Sequence, residues 1–201
     1  MDARKFLPRT LAIVVLAFTL LTWWVLSGRS SAFDESIRAA VHTWASPGMT
    51  RFMLAVTTMG SEWFMLPLGA IALWRLATVG RGRDGLSIPV ISLSAEAVAQ
   101  LLKLATHRAR PAIFFGLAPA HTYSFPSGHA FVSTVFYGVL AAFLTDRTSH
   151  RVTAVAAGLI LALLIGLSRV YLGYHYPSDV LGGWICAVGW LSLAGWVSSR
   201  R

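Results

Sequence analysis

Six apolar stretches, each about as long as a bilayer crossing requires, constrain this chain more than any other feature. A spanning helix needs about 20 mostly apolar residues, and stretches of that kind occupy residues 10–27, 61–77, 86–105, 127–145, 152–167 and 179–197. The third is the most polar, with Glu96, Gln100 and Lys103 along a single stripe. The first follows Arg4, Lys5 and Arg9 and precedes Ser30-Ser31-Ala32, an arrangement shared with signal peptides. Its apolar run is longer than theirs, so it reads as a retained helix. Composition agrees: 56% of the 201 residues are hydrophobic and 12% are charged, about half the charged share of a soluble domain. A soluble enzyme is excluded. The single cysteine, Cys186, excludes an intramolecular disulfide and a multi-cysteine metal site. The expected fold is an all-α integral membrane protein of six transmembrane helices, forming one domain over residues 1–201.

Charge sets the expected orientation. Seventeen Lys and Arg against 8 Asp and Glu give a net charge of +9. Such an excess would suit nucleic acid, but here the cations sit in small groups between apolar runs, where they mark cytoplasmic loops. With the N-terminus inside, ten of the 17 fall inside: Arg4, Lys5, Arg9, Arg75, Arg81, Arg83, Arg147, Arg151, Arg200 and Arg201. Seven fall outside: Arg29, Arg38, Arg51, Lys103, Arg108, Arg110 and Arg169. Both termini are then cytoplasmic, and residues 80–85 and 146–151 are short inner loops. Two outer segments do not span. Phe33, Ile37, Val41 and Trp44 recur at helical spacing after Asp34 and Glu35, with Pro47-Gly48 as the stop. They predict a short helix on the outer surface between the first two spans. Residues 111–126 form a long outer loop with Phe114, Phe115 and Tyr123 as interfacial anchors.

Ionisable residues beside spanning segments are costly and point to function. They form three clusters on one membrane side. Lys103 and Arg110-Pro111 lie seven residues apart, about two helical turns along one face. Pro126-Ser127-Gly128-His129 enters the fourth span, and Ser168-Arg169 followed by His175 and Asp179 enters the sixth. Lys103, Arg110 and Arg169 supply three cations, two of them planar forks suited to oxyanions. Ser127 and Gly128 add a hydroxyl and backbone N–H groups at a helix start. Together these describe a phosphate cradle. Of the two histidines, one can attack phosphorus and the other can protonate the departing oxygen. Asp179, four residues after His175, can accept that ring's other N–H and fix its tautomer.

These residues resemble the type 2 phosphatidic acid phosphatase superfamily, which also includes vanadium haloperoxidases and bacterial acid phosphatases. The family pattern stands here as Lys103-LATHRA-Arg110-Pro111, Pro126-Ser127-Gly128-His129 and Ser168-Arg169-VYLGY-His175-YPS-Asp179. The resemblance implies His175 as nucleophile forming a phosphohistidine, Asp179 as its orienter, and His129 as general acid on the leaving oxygen. Lys103, Arg110, Ser127, Gly128 and Arg169 would hold the phosphoryl oxygens. No metal and no cofactor are implied. The expected function is hydrolysis of a phosphomonoester or pyrophosphate lipid head group: undecaprenyl pyrophosphate, phosphatidylglycerol phosphate or phosphatidic acid. The site would lie on the outer face of a cytoplasmic (inner) membrane. Its partners would be a phosphorylated lipid and the bilayer, with no nucleic acid. A lipid phosphotransferase, a haloperoxidase and a non-catalytic phospholipid-binding or transport protein are the alternatives.

Other polar residues carry blander expectations. His107 and Arg108 read as a solvated helix end, His121 and Tyr123 as ordinary outer loop, and His42 and His150 as surface. Glu96 either shapes the site or bonds between helices. Gly158, Gly166, Gly182 and Gly183 read as close-packing positions between helices. The gap between the third and fifth spans is the expected lipid entrance.

Overall fold

The computed structural model describes residues 3–146 and 148–198, and of residues 3–6, 197 and 198 the backbone alone. Five of the ten inner cations (the side chains of Arg4 and Lys5, with Arg147, Arg200 and Arg201) therefore lie outside the described residues. All regular structure in the described residues is helical: α1 (Ala3–Leu26), α2 (Ser31–His42), α3 (Pro47–Met59), α4 (Glu62–Thr78), α5 (Gly82–Thr106), α6 (Gly128–Leu144), α7 (Arg151–Tyr171) and α8 (Pro177–Ser198). Each of the six apolar stretches is a helix. Four segments are long and apolar enough to cross a bilayer: Leu7–Leu26, Gly82–Thr106, Arg151–Tyr171 and Pro177–Trp196. Gly128–Leu144 is apolar but shorter, at 17 residues. The chain is a multi-pass membrane protein.

Helix α6 sits at the centre because it is apolar all round, which suits a helix with neighbours on every side. Its residues from Ala130 to Leu140 are all buried, against α4, α5, α7 and α8. The outer helices turn apolar side chains away from the protein. Ile13, Leu20, Leu66, Ile71, Leu93, Leu101 and Ile160 are all more than half exposed, which water would not tolerate on this scale and lipid does. Small residues let the helices close up. A Cβ at Gly183 would lie 2.6 Å from the Ser127 carbonyl oxygen, and one at Gly166 would lie 2.7 Å from the Trp184 ring.

Several local expectations change. Residues 80–85 are not a loop but mostly the first turn of α5, because Arg81 pairs with Asp84 at 2.8 Å and caps the α4 end through Leu76. Pro47-Gly48 does not end structure but begins it. Ser46 accepts from the Met49 N–H, and Pro47 occupies the first helical position, where its missing donor costs nothing. Helix α2 ends at His42, leaving Trp44 exposed. It does not simply rest on the surface, since it turns the polar pair Asp34 and Arg38 inward, both buried.

Candidate active site

Four helix ends converge on one side of the bundle: the C-termini of α5 and α7 and the N-termini of α6 and α8. The Lys103-to-Arg110 stretch reaches this point differently from the two-turn stripe expected of it. Helix α5 stops at Thr106, where His107 takes a left-handed conformation (φ 49°) and donates its N–H back to the Lys103 carbonyl at 3.0 Å. That cap leaves Lys103 buried on the helix and swings Arg110 over it from the loop. Arg110 is held by the Thr122 carbonyl at 2.6 Å, the Thr122 hydroxyl at 2.8 Å and the Tyr174 carbonyl at 2.8 Å.

Ser127 caps α6, its side chain accepting from the Ala130 N–H. Its own N–H donates to the Asp179 carbonyl at 2.9 Å, which locks the starts of α6 and α8 together. Gly128 lacks a side chain where a Cβ would stand 3.7 Å from both the Lys103 ammonium and a Glu96 oxygen. His129 follows in the first turn, lining the same cavity. Arg169 lies in the last turn of α7, donating to the Thr57 hydroxyl at 2.8 Å with its guanidinium 4.0 Å from the Tyr174 ring centre. Its buried Nε has no hydrogen-bond partner, as suits a donor left for an anion.

His175 lies between α7, which ends at Tyr171, and α8, which Pro177 begins. Even without a continuous helix, its Nδ1 meets Asp179 Oδ2 at 3.3 Å, while its Nε2 faces an Arg110 nitrogen at 3.2 Å. Asp179 Oδ2 also accepts from the Tyr176 N–H at 2.8 Å and from the Ser124 hydroxyl. Burial pushes the His175 ring down to about 3, against the raising effect of its bond to Asp179. The ring is therefore neutral near pH 7, and with its N–H on the Asp179 side its Nε2 lone pair faces Arg110. Unfolded, it takes a proton near 6.5, so between about pH 6.5 and 3 the unfolded chain holds a proton that the fold lacks. Stability from this group falls as pH drops through that window. His175→Gln should lose less melting temperature than the parent between about pH 7 and pH 4. Thermal unfolding in detergent checks it, and equal losses would refute it.

Lys103, Arg110, Gly128, His129, Arg169 and His175 line one end of a cavity of about 610 Å³. The remainder runs between α4, α5 and α6, past Glu96 and Ser92 to Leu66, Leu93, Val132 and Phe136. The third and fifth spans, α5 and α7, both contribute to the cavity's lining, through Lys103 and Arg169. Glu96 faces the cavity and accepts from Gln100 on its own helix, not from a neighbour. His107 and His121 are exposed, as expected of them. Arg108 is not a solvated residue: it bonds Asp179, Ser178 and Asp34. No local sequence signal marked it, since Asp34 is 74 positions away.

Three cationic side chains and two histidines at one end of a largely apolar cavity, inside a bundle with lipid-facing helices, fit an integral-membrane lipid phosphatase. The PAP2 superfamily profile matches residues 84–201, and the chain belongs to that superfamily. Phosphatidylglycerophosphatase B of Bacillus subtilis is 31% identical over 173 residues, covering 84% of this chain and 85% of its own. An undecaprenyl-diphosphatase of Sulfolobus acidocaldarius is 26% identical over 181 residues, covering 86% and 84%. The crystal structure of a transmembrane PAP2-type phosphatidylglycerolphosphate phosphatase from Bacillus subtilis superposes with a TM-score of 0.89. It covers 95% of this chain and 96% of its own at 28% identity.

Proposed function

We propose that this chain hydrolyses the terminal phosphate of a phosphomonoester or pyrophosphate lipid through a phosphohistidine, on the outer face of a cytoplasmic membrane. The observation that carries the reading is the buried His175 ring, with Asp179 at its Nδ1 and Arg110 at its Nε2, at one end of a cavity with a largely apolar lining. The lipid's tails remain among the apolar lining while its phosphate enters between Lys103, Arg110, Arg169 and the start of α6. Nε2 of His175 attacks phosphorus, the bond to the ester or bridging oxygen breaks, and His129 gives that oxygen a proton. Water then attacks the phosphohistidine, giving its proton to His129. The P–N bond breaks and inorganic phosphate leaves.

All six apolar helices, α1, α4, α5, α6, α7 and α8, cross the bilayer as one domain, with α2 and α3 outside and both termini inside. Two observations support the orientation. All four site-bearing helix ends share one side, and two of the four remaining outer cations, Arg38 and Arg108, are engaged within the protein by the Ala112 carbonyl and the Asp34 carboxylate. The substrates named for the relatives above suggest phosphatidylglycerol phosphate and undecaprenyl pyrophosphate as the first lipids to offer. Purified protein should release phosphate from at least one of them in the presence of EDTA, and vanadate should inhibit that release. A panel of monophosphate and pyrophosphate lipids at equal surface density tests this, and no release from any of them would refute it. Labelled phosphate recovered in a second lipid in place of solution would instead indicate a phosphotransferase.

A further inference from the structure

Arg108 has no place in the three-part motif, yet both ends of its fork are engaged by polar groups beside the site. One end of its fork donates to Asp179 Oδ1 and to the Ser178 hydroxyl at 2.8 Å. The other donates to Asp34 Oδ2 at 2.7 Å. The guanidinium also lies 4.3 Å from the Tyr176 ring centre. Asp34, on α2, is fully buried and accepts the Ser178 N–H at 2.9 Å and the Ser178 hydroxyl at 2.7 Å. A single cation thus sits between two buried carboxylates from α2 and α8.

Attaching α2 to the bundle does not require this much. The two bonds from Ser178 to Asp34 already do so, and Arg38 adds another by donating to the Ala112 carbonyl at 2.7 Å. What Arg108 adds is control of the Asp179 carboxylate. Oδ2 is the oxygen that meets His175, and Oδ1 would otherwise be free to rotate into its place. With Oδ1 held by a guanidinium that Asp34 anchors from behind, the carboxylate plane is fixed and Oδ2 stays on His175 Nδ1. That in turn keeps the Nε2 lone pair aimed at the cradle.

We propose that Arg108, anchored by Asp34, is a positioning residue for the phosphoryl transfer, acting through Asp179 on His175. The inference rests on His175 being the nucleophile. Lysine keeps the charge but cannot span two carboxylates with a planar fork, so the Lys and Gln variants separate geometry from charge. Around His175 the charged and titratable groups are Asp179 on α8, Arg110 in the loop, Arg169 on α7 and His129 on α6. Removing the Arg108 cation lets Asp179 hold a proton on His175 more strongly, so the acid limb of kcat/KM moves to higher pH.

The test measures kcat, KM, pH profile and melting temperature of the full-length protein in detergent, for Arg108→Gln, Arg108→Lys and His175→Ala. Arg108→Gln should lose kcat by about 10- to 100-fold, as partners one step removed from the reacting group do, with KM within about threefold and the acid limb raised. Arg108→Lys should lose less and leave the limb in place. A folded Arg108→Gln protein with parental kcat and limb overturns the proposal, and so does one that loses melting temperature and activity together with no change in pH profile. Should the Gln variant not fold, Arg108→Lys decides: parental kcat overturns the proposal, and lowered kcat at parental melting temperature sustains it. Activity surviving in His175→Ala would overturn the mechanism itself. An inactive His175→Ala beside an unaffected Arg108→Gln would remove only this proposal.

Discussion

His175→Ala should reduce phosphate release by on the order of 10⁴- to 10⁶-fold, the loss seen when a covalent nucleophile or its base is removed elsewhere. The size of the effect follows from what the substitution leaves behind. Lys103, Arg110 and Arg169 would still bind the phosphate, so lipid affinity should change little while kcat collapses. The fold should survive, because Asp179 keeps Arg108, Ser124 and the Tyr176 N–H as partners and is not left as an unpaired buried charge. Circular dichroism and gel filtration in detergent would verify this. Parent protein quenched during turnover of labelled lipid should carry a label that survives base and is lost in acid, as a phosphohistidine does. The variant should carry none. Phosphate release within tenfold of the parent would discard His175 as nucleophile.

The three motif segments lie up to 76 positions apart (Lys103 to Asp179), yet their convergence was legible because each contains a residue type that lipid penalises. The order of the six apolar stretches then put all three segments at the same end of the expected bundle. What periodicity missed were changes of backbone direction. Lys103 and Arg110 looked like two turns of one helix, and only the left-handed His107 shows that the second cation arrives from a loop. Pro47 looked like a terminator because it follows a short helical pattern, but Ser46 just before it is the cap that makes it a beginning. Arg108 looked like a solvated charge at a helix end, and Asp34 marked only the first turn of a short outer helix. Their pairing is long-range, and no period in either segment encodes it. The small residues fared better: Gly166, Gly182 and Gly183 all lack room for a methyl group.

Gly183→Ala should cost about 100-fold in kcat, far more than one methyl group usually does. The added Cβ would stand 2.6 Å from the Ser127 carbonyl oxygen and 3.0 Å from the Phe131 nitrogen. Those two atoms form a backbone hydrogen bond at the start of α6, so neither can rotate aside as a side chain would. The strain must be relieved by moving α8 away from the start of α6, at about 1–3 kcal/mol for overpacking. That is the wrong place to move anything. His129 rides on α6 while Asp179 rides on α8, and the Ser127 N–H to Asp179 carbonyl bond is the strut between them. A displacement of about 1 Å between acid and nucleophile is enough for a 100-fold loss. Gly195 is on the same helix, and a Cβ there would meet nothing within 4 Å, so Gly195→Ala should leave both kcat and melting temperature unchanged. If Gly183→Ala also kept kcat within threefold, the spacing of α6 and α8 would not be what aligns the two histidines.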